Sequence, residues 1–296
     1  VSVVAVTFNI ADDSVLNGII GEIRPSGWYD LTNGLVDVTA EGVLEPEELA
    51  AVGAAGFGRP GRFEARVIGD LASEAPLDVI GTTRFAPFVY QSDVSFSQLQ
   101  LGFDLRIQGG TVGGGLSIDG TAMDAYGVAA AGLVADDLRL SVTPDGEVAL
   151  AGDLGLTAVN MPSVFRTDQL SVGLDVAVAG EAVNVGAELG LGPYALADQP
   201  GSGGTGRVQL AGDLLDFELD LADGGRQAAY VLGRFRLDEQ TVDIPQIRFA
   251  PSRRVDWATD RPVRFRLTEH GGIADADVAL SSTLGSLTLE GQIGAS

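Results

Sequence analysis

The 296-residue chain is long enough for one large β domain or two ordinary ones, and it carries 41 acidic residues against 18 basic ones, a formal charge of −23. All 18 basic residues are Arg, so broad attraction to nucleic acid or anionic membrane surfaces is disfavoured, and Schiff-base chemistry and the phosphate-loop lysine are removed. Cysteine is absent, which excludes disulfides, thiolate nucleophiles and thiolate metal sites and suits the periplasm without excluding the cytosol.

Val1 to Ile10 alternates Val4, Val6 and Phe8 and reads as a strand. Ser14 to Ile23 is apolar but interrupted by Gly18 and Gly21, consistent with a strand or a short helix. Leu35 to Leu44 returns to strand-like alternation. A short helix is predicted over residues 46–55: Pro46 suits a first helical position, Glu45, Glu47 and Glu48 complement the positive end of the helix dipole, and Gly53 and Gly56 stop it.

From Arg62 onward a period of two dominates. Leu99, Leu101, Phe103, Leu105 and Ile107 alternate with Gln98, Gln100, Asp104, Arg106 and Gln108, which gives one oily and one wet face. Gly109-Gly110 ends that strand, and a turn is expected at Asp119-Gly120. Leu138, Leu140 and Val142 lead through Thr143-Pro144-Asp145-Gly146, a type I turn signature, to Val148, Leu150, Leu154 and Leu156. The clearest unit follows: Leu170, Val172, Leu174, Val176 and Val178, then Ala179-Gly180-Glu181-Ala182, then Val183, Val185, Ala187, Leu189 and Leu191. It predicts a tight hairpin in which Gly180 supplies a positive φ.

Asp198 to Gly206 (DQPGSGGTG) reads as a loop or linker. In Val208 to Leu221 the apolar phase slips between Leu214 and Leu215, which a β-bulge would absorb. Further strands are expected at Tyr230 to Leu237, Thr241 to Phe249, Pro262 to Leu267, Ala274 to Leu280 and Ser286 to Ile293. The expected organisation is a less regular β/α segment over 1–60, antiparallel sheet over 61–197, a loop over 198–206 and continuing sheet over 207–296. Val1 is not an initiator Met, and the chain reads as a piece of a longer protein, with any anchor lying outside it.

Catalytic signals are sparse. His270 is the only histidine and sits in a Gly-rich turn, Thr268 to Gly272. The acid pairs Asp12-Asp13 and Asp136-Asp137, and the alternating Asp275 and Asp277, lack calcium-loop spacing and read as solvated surface charge. The glycines at 109–110 and 113–115 lack the residues that phosphate loops or calcium nonapeptides require. No catalytic residue, cofactor or metal site is expected. Nine arginines lie between Arg226 and Arg266. Arg248, Arg253, Arg254 and Arg264 are candidates for a phosphate head-group or partner patch, and pairing with the surrounding acids is the favoured alternative.

A sheet with one apolar face must cover it with helices, a second sheet or a ligand. One short helix is too little, so two sheets pack as a sandwich or one long sheet curls into a trough. Acyl chains suit such a trough, because each buried methylene is worth about 0.8 kcal/mol. Small residues such as Gly152, Gly180 and Ala187 are expected to leave room. The lining candidates are Leu99, Leu101, Phe103, Leu105, Leu138, Leu140, Val148, Leu150, Leu170, Val172, Leu174, Val176, Val185 and Leu189.

The repeated hydrophobic-x-hydrophobic strands with recurring Gly, as in Val148-Ala149-Leu150-Ala151-Gly152-Asp153-Leu154 and Leu287-Thr288-Leu289-Glu290-Gly291-Gln292-Ile293, resemble those of the AsmA-like family, within it the TamB and YdbH type. The resemblance implies a mostly β fold with a long curled antiparallel sheet, in a periplasmic bridge protein anchored in the inner membrane. It further implies a groove that carries phospholipid toward the outer membrane without catalysis, with envelope proteins as partners. Two other readings stand beside it. One is a structural or adhesive surface β protein with a closed core. The other is a glycan-active β-helix enzyme, which would need acids clustered with aromatic platforms. An outer-membrane barrel needs aromatic girdles, and Trp28 and Trp257 are the only tryptophans.

Overall fold

The alternating segments become strands. A computed structural model describes residues 7–10, 16–18, 21–51, 56–252, 255–268 and 273–293, almost all of them in antiparallel β-sheet. The described residues form 24 strands and one helix. The chain divides into two compact units, Val1–Val159 and Asn160–Ser296.

The first unit contains β1 (Thr7–Ile10), β2 (Leu16–Gly18), β3 (Gly21–Asp30), β4 (Leu35–Leu44), α1 (Pro46–Ala51), β5 (Gly61–Asp70) and β6 (Leu77–Phe85). It continues with β7 (Phe88–Tyr90), β8 (Val94–Phe96), β9 (Gln98–Gln108), β10 (Thr111–Ala125), β11 (Val128–Val142) and β12 (Val148–Met161). Its main ladder is a meander in which β3, β4, β5, β6, β9, β10 and β11 each pair with the next. Both β1 and β2 lie against β3. Pro46 does open the helix, while Val4, Val6 and Gly53 lie outside the described residues. The N-terminal strands continue the sheet, since β4 pairs with β5 residue for residue from Leu35↔Asp70 to Leu44↔Gly61.

The second unit contains β13 (Phe165–Ala179), β14 (Ala182–Leu191), β15 (Tyr194–Leu196), β16 (Gln199–Gly201), β17 (Gly203–Ala211) and β18 (Leu214–Asp223). It ends with β19 (Arg226–Arg236), β20 (Thr241–Ser252), β21 (Val255–Thr259), β22 (Val263–Leu267), β23 (Ile273–Ser282) and β24 (Gly285–Ile293). The order is β13, β14, β17, β18, β19, β20, after which β20 pairs with both β21 and β22, both pair with β23, and β23 pairs with β24. The expected hairpin closes at Ala179↔Ala182 with Gly180 at φ +60°, as a tight two-residue turn requires. The Thr143 to Gly146 turn forms too: the Gly146 amide donates to the Thr143 carbonyl at 3.0 Å, and Gly146 has φ +82°.

Three expectations are corrected. Asp119-Gly120 is not a turn; β10 runs straight through it, and the reversal comes at Tyr126-Gly127. Gly120 is there for space, since a Cβ on it would lie 2.7 Å from the Phe96 ring. The 198–206 stretch is not a linker but β16 and the start of β17. Its glycines lie beneath large side chains: a Cβ at Gly204 would come within 2.8 Å of Leu221, and one at Gly201 would collide with the Tyr194 ring. No bulge separates Leu214 from Leu215. Gly212-Asp213 turns the chain there, Ala211 pairs with Leu214 and Leu210 with Leu215, and the irregularity of β18 falls at Leu221/Ala222.

Candidate functional site

Residues opposite one another in an antiparallel ladder share a face, so the register fixes what each face presents. In the first unit one row across the strands reads Ala40, Ala65, Gly81, Phe103, Leu116, Leu138. Its neighbour reads Val38, Val67, Val79, Leu105, Gly114, Leu140. In the second unit the rows read Leu174, Ala187, Val208, Phe217, Gly233 and Val176, Val185, Leu210, Leu215, Phe235, Val242. Within each unit the apolar residues of successive strands therefore merge into one continuous face.

The fourteen predicted lining residues fall as follows. Leu99, Leu101, Phe103, Leu105, Leu138 and Leu140 sit in the rows of the first unit, and Val148 and Leu150 alternate with exposed Ala149 and Ala151 on β12. Leu170, Val172, Leu174, Val176, Val185 and Leu189 share the face of the second unit, where Leu170 pairs with Leu191 and Val172 with Leu189. Leu138, 2% exposed, and Leu99, 5% exposed, are buried, and the other twelve are only half-buried. Of the large described side chains only Leu138 is fully enclosed. Apolar surface lying half open is the main chemical feature of the sheet in each unit.

The expected source of room is partly wrong. Ala187 lies on the apolar face between Leu174 and Val208. Gly152 makes way for its neighbour instead of widening a trough, because a Cβ on it would stand 2.9 Å from Leu138, and Gly180 belongs to a turn.

Each unit covers one margin of its apolar face with a small fold-back hairpin that alternation does not reveal. In the first, β7 pairs with β8, and β8 docks on the end of β10 at Asp124 and Ala125. Phe88 and Phe96 are laid on Phe85 and Leu99, with ring centroids 5.3 Å apart for Phe85 and Phe88 and 5.8 Å for Phe88 and Phe96. Phe57 adds a third edge-on ring, 5.6 Å from Phe88. In the second unit β15 pairs with β16 and with the start of β13, and Tyr194 packs with Leu221, Ala229 and Phe165. Burial pushes the Tyr194 phenol above its ordinary pKa. Buried Thr167 is fully bonded, its hydroxyl donating to the Gln169 or Pro193 carbonyl at 3.0 Å. The signal for the first of these hairpins was the cluster of aromatics Phe85-Ala86-Pro87-Phe88 with Tyr90, too short for a periodic reading.

The opposite face is charged. Arg66 donates twice to the Asp37 carboxylate, at 2.8 and 2.7 Å, and holds that carboxyl below its ordinary pKa. Arg106 meets Asp78 at 3.0 Å and Arg234 meets Asp216 at 2.7 Å. Of the expected basic patch, Arg248 is forked onto Asp256 at 2.6 to 3.0 Å and Arg264 lies 3.3 Å from Asp243; Arg253 and Arg254 fall outside the described residues. Asp243 pairs across β20–β22 with Arg264, and Arg264 across β22–β23 with Asp277, a row of alternating sign. These arginines face away from the lining residues and are neutralised in place. Asp137, Asp275 and Asp277 bind Arg139, Arg266 and Arg261. Asp12, Asp13 and His270 lie outside the described residues.

No group of three or more His, Asp or Glu side chains among the described residues is placed to hold a metal ion. No helix among them is long and apolar enough to cross a membrane. No known protein family, curated protein or solved structure matches the chain.

Proposed function

We propose that the apolar faces hold the acyl chains of phospholipid, and that the chain is a non-enzymatic segment of a lipid-conducting bridge in the periplasm of a Gram-negative envelope. The observation that carries this reading is the half-open apolar face within each unit, backed by a charged face on which Arg66, Arg106, Arg234, Arg248 and Arg264 are already paired. A closed structural module would bury its Leu, Val and Phe; here central residues such as Phe103, Leu105, Leu174 and Val176 remain accessible to solvent. The side chains are aliphatic and unspecific in shape, which suits a flexible hydrocarbon better than a substrate that needs orienting. An acyl chain of about 16 carbons lying half-buried on such a face gains about 6 kcal/mol at ~0.8 kcal/mol per fully buried methylene. That is enough for retention and weak enough for passage.

A phospholipid with a fluorescent polyene acyl chain tests the reading. Its emission should rise and saturate on titration with the protein, and a folded Leu105→Asp/Leu174→Asp variant should bind at least tenfold more weakly. No saturable rise, or an undiminished rise in that variant, would refute it.

A further inference from the structure

The polar face of the first unit breaks its own charge pattern in one place. Arg106 stands directly opposite Asp78 in the ladder, but Arg62 stands opposite Arg84 and, in the adjoining row, Glu41 stands opposite Glu64. Like charges directly opposite each other destabilise a sheet. None of the four makes an ion pair among the described residues, and the Arg84 guanidinium donates instead to Gln100 Oε1 at 2.9 Å. All four line a depression of about 870 Å³, to which Arg24 and Glu45, each already engaged, also contribute.

We propose that this depression binds a small zwitterion that joins a phosphate ester to an ammonium by a short link, the chemistry of phosphoethanolamine. Two neighbouring guanidinium groups match the oxygens of one phosphate, and the two carboxylates accept from an ammonium. Arg62 and Glu64 are two residues apart on β5, about 6.6 Å along the strand, so the cationic and anionic halves of the site are separated as the two ends of such a ligand are. The four side chains sum to no net charge, which selects a zwitterion over bare phosphate. A ligand of this kind turns two repulsive cross-strand pairs into two bridged ones. The site lies on the face opposite the acyl trough and does not depend on it.

The test titrates the full chain by calorimetry with phosphoethanolamine, with inorganic phosphate and ethanolamine as fragments, and with dihexanoyl phosphatidylethanolamine as the lipid-borne form. Phosphoethanolamine should bind saturably, at least tenfold more tightly than either fragment. Arg84→Gln and Glu64→Gln, both at exposed positions and checked for folding by circular dichroism, should each weaken it at least tenfold, while Val176→Asp on the other unit's apolar face leaves it unchanged. Binding of the short-chain lipid with the same sensitivity to Arg84→Gln assigns the site to a lipid head group; its exclusion assigns it to the free molecule. Absence of saturable binding, equal affinity for inorganic phosphate, or full affinity in folded Arg84→Gln would overturn the proposal.

Discussion

Truncating two leucines of one unit separates an open apolar face from a covered one. Leu138 is enclosed beside Leu116 and Gly152, at 2% exposure, so Leu138→Ala leaves a cavity and should cost about 2–5 kcal/mol. Leu105, between Val79 and Gly114, is only half-buried. Full burial of a leucine is worth about 1.5–3 kcal/mol, about half of that is realised here, and truncation on an open face leaves no enclosed void. Leu105→Ala should therefore cost about 1 kcal/mol. Urea unfolding followed by far-ultraviolet circular dichroism reads the difference: with a slope of about 2 kcal/mol per molar, the midpoint should drop by about 1–2.5 M for Leu138→Ala and by about 0.5 M for Leu105→Ala. Equal costs at the two positions would mean that the face around Leu105 is covered, and the trough would be lost with it.

Glycine replacements probe the fold-back hairpin in the same assay. Gly120→Ala forces a methyl to within 2.7 Å of the Phe96 ring and should cost about 1–3 kcal/mol, whereas Gly115→Ala meets nothing within 4 Å and should be close to neutral. Phe88→Ala should cost about 3 kcal/mol and raise binding of a hydrophobic dye as the margin beneath the hairpin opens; unchanged dye binding would show that the hairpin covers nothing. The Asp37 and Asp256 carboxyls are held below 3.8 by hydrogen bonds from Arg66 and Arg248. A depressed native pKa gives stability that is present above the unfolded value and is lost as pH falls through the folded value. Asp37→Asn should thus flatten the acid limb of the stability curve, and an NMR titration midpoint for Asp37 at or above 3.8 would contradict the pairing. The Tyr230 phenol donates to Glu218 at 2.9 Å and is shifted upward by that bond. Tyr230→Phe should remove a late-ionising phenol from the alkaline absorbance titration, and a titration unchanged above pH 10 would count against the bond.

Strands long enough to alternate several times were legible from residue order alone. Leu170 to Leu191 shows why: two runs of period two and a Gly at the reversal leave one register that keeps Leu, Val and Ala on one face. The same logic put the candidates of β9, β11, β13 and β14 into the apolar rows. It failed where glycine serves packing. Gly120, Gly201 and Gly204 look like turn or linker residues in a string of letters, but each sits in a strand under an aromatic ring or a leucine from elsewhere in the fold. Three-residue strands such as Phe88–Tyr90 and Tyr194–Leu196 carry too few residues to show a period, and what holds them is tertiary contact with Leu99 or Leu221. Arg62 opposite Arg84 was equally hidden, since 22 residues separate them and only the register brings them together.

The account turns on whether lipid occupies the apolar face. Native mass spectrometry of the protein, purified from a Gram-negative host without detergent and paired with organic extraction, answers this most directly. Phospholipid bound at a reproducible ratio, and lost from a folded Val176→Asp/Leu189→Asp variant, is the predicted result. A folded, monodisperse protein free of lipid would contradict it and favour a closed structural module.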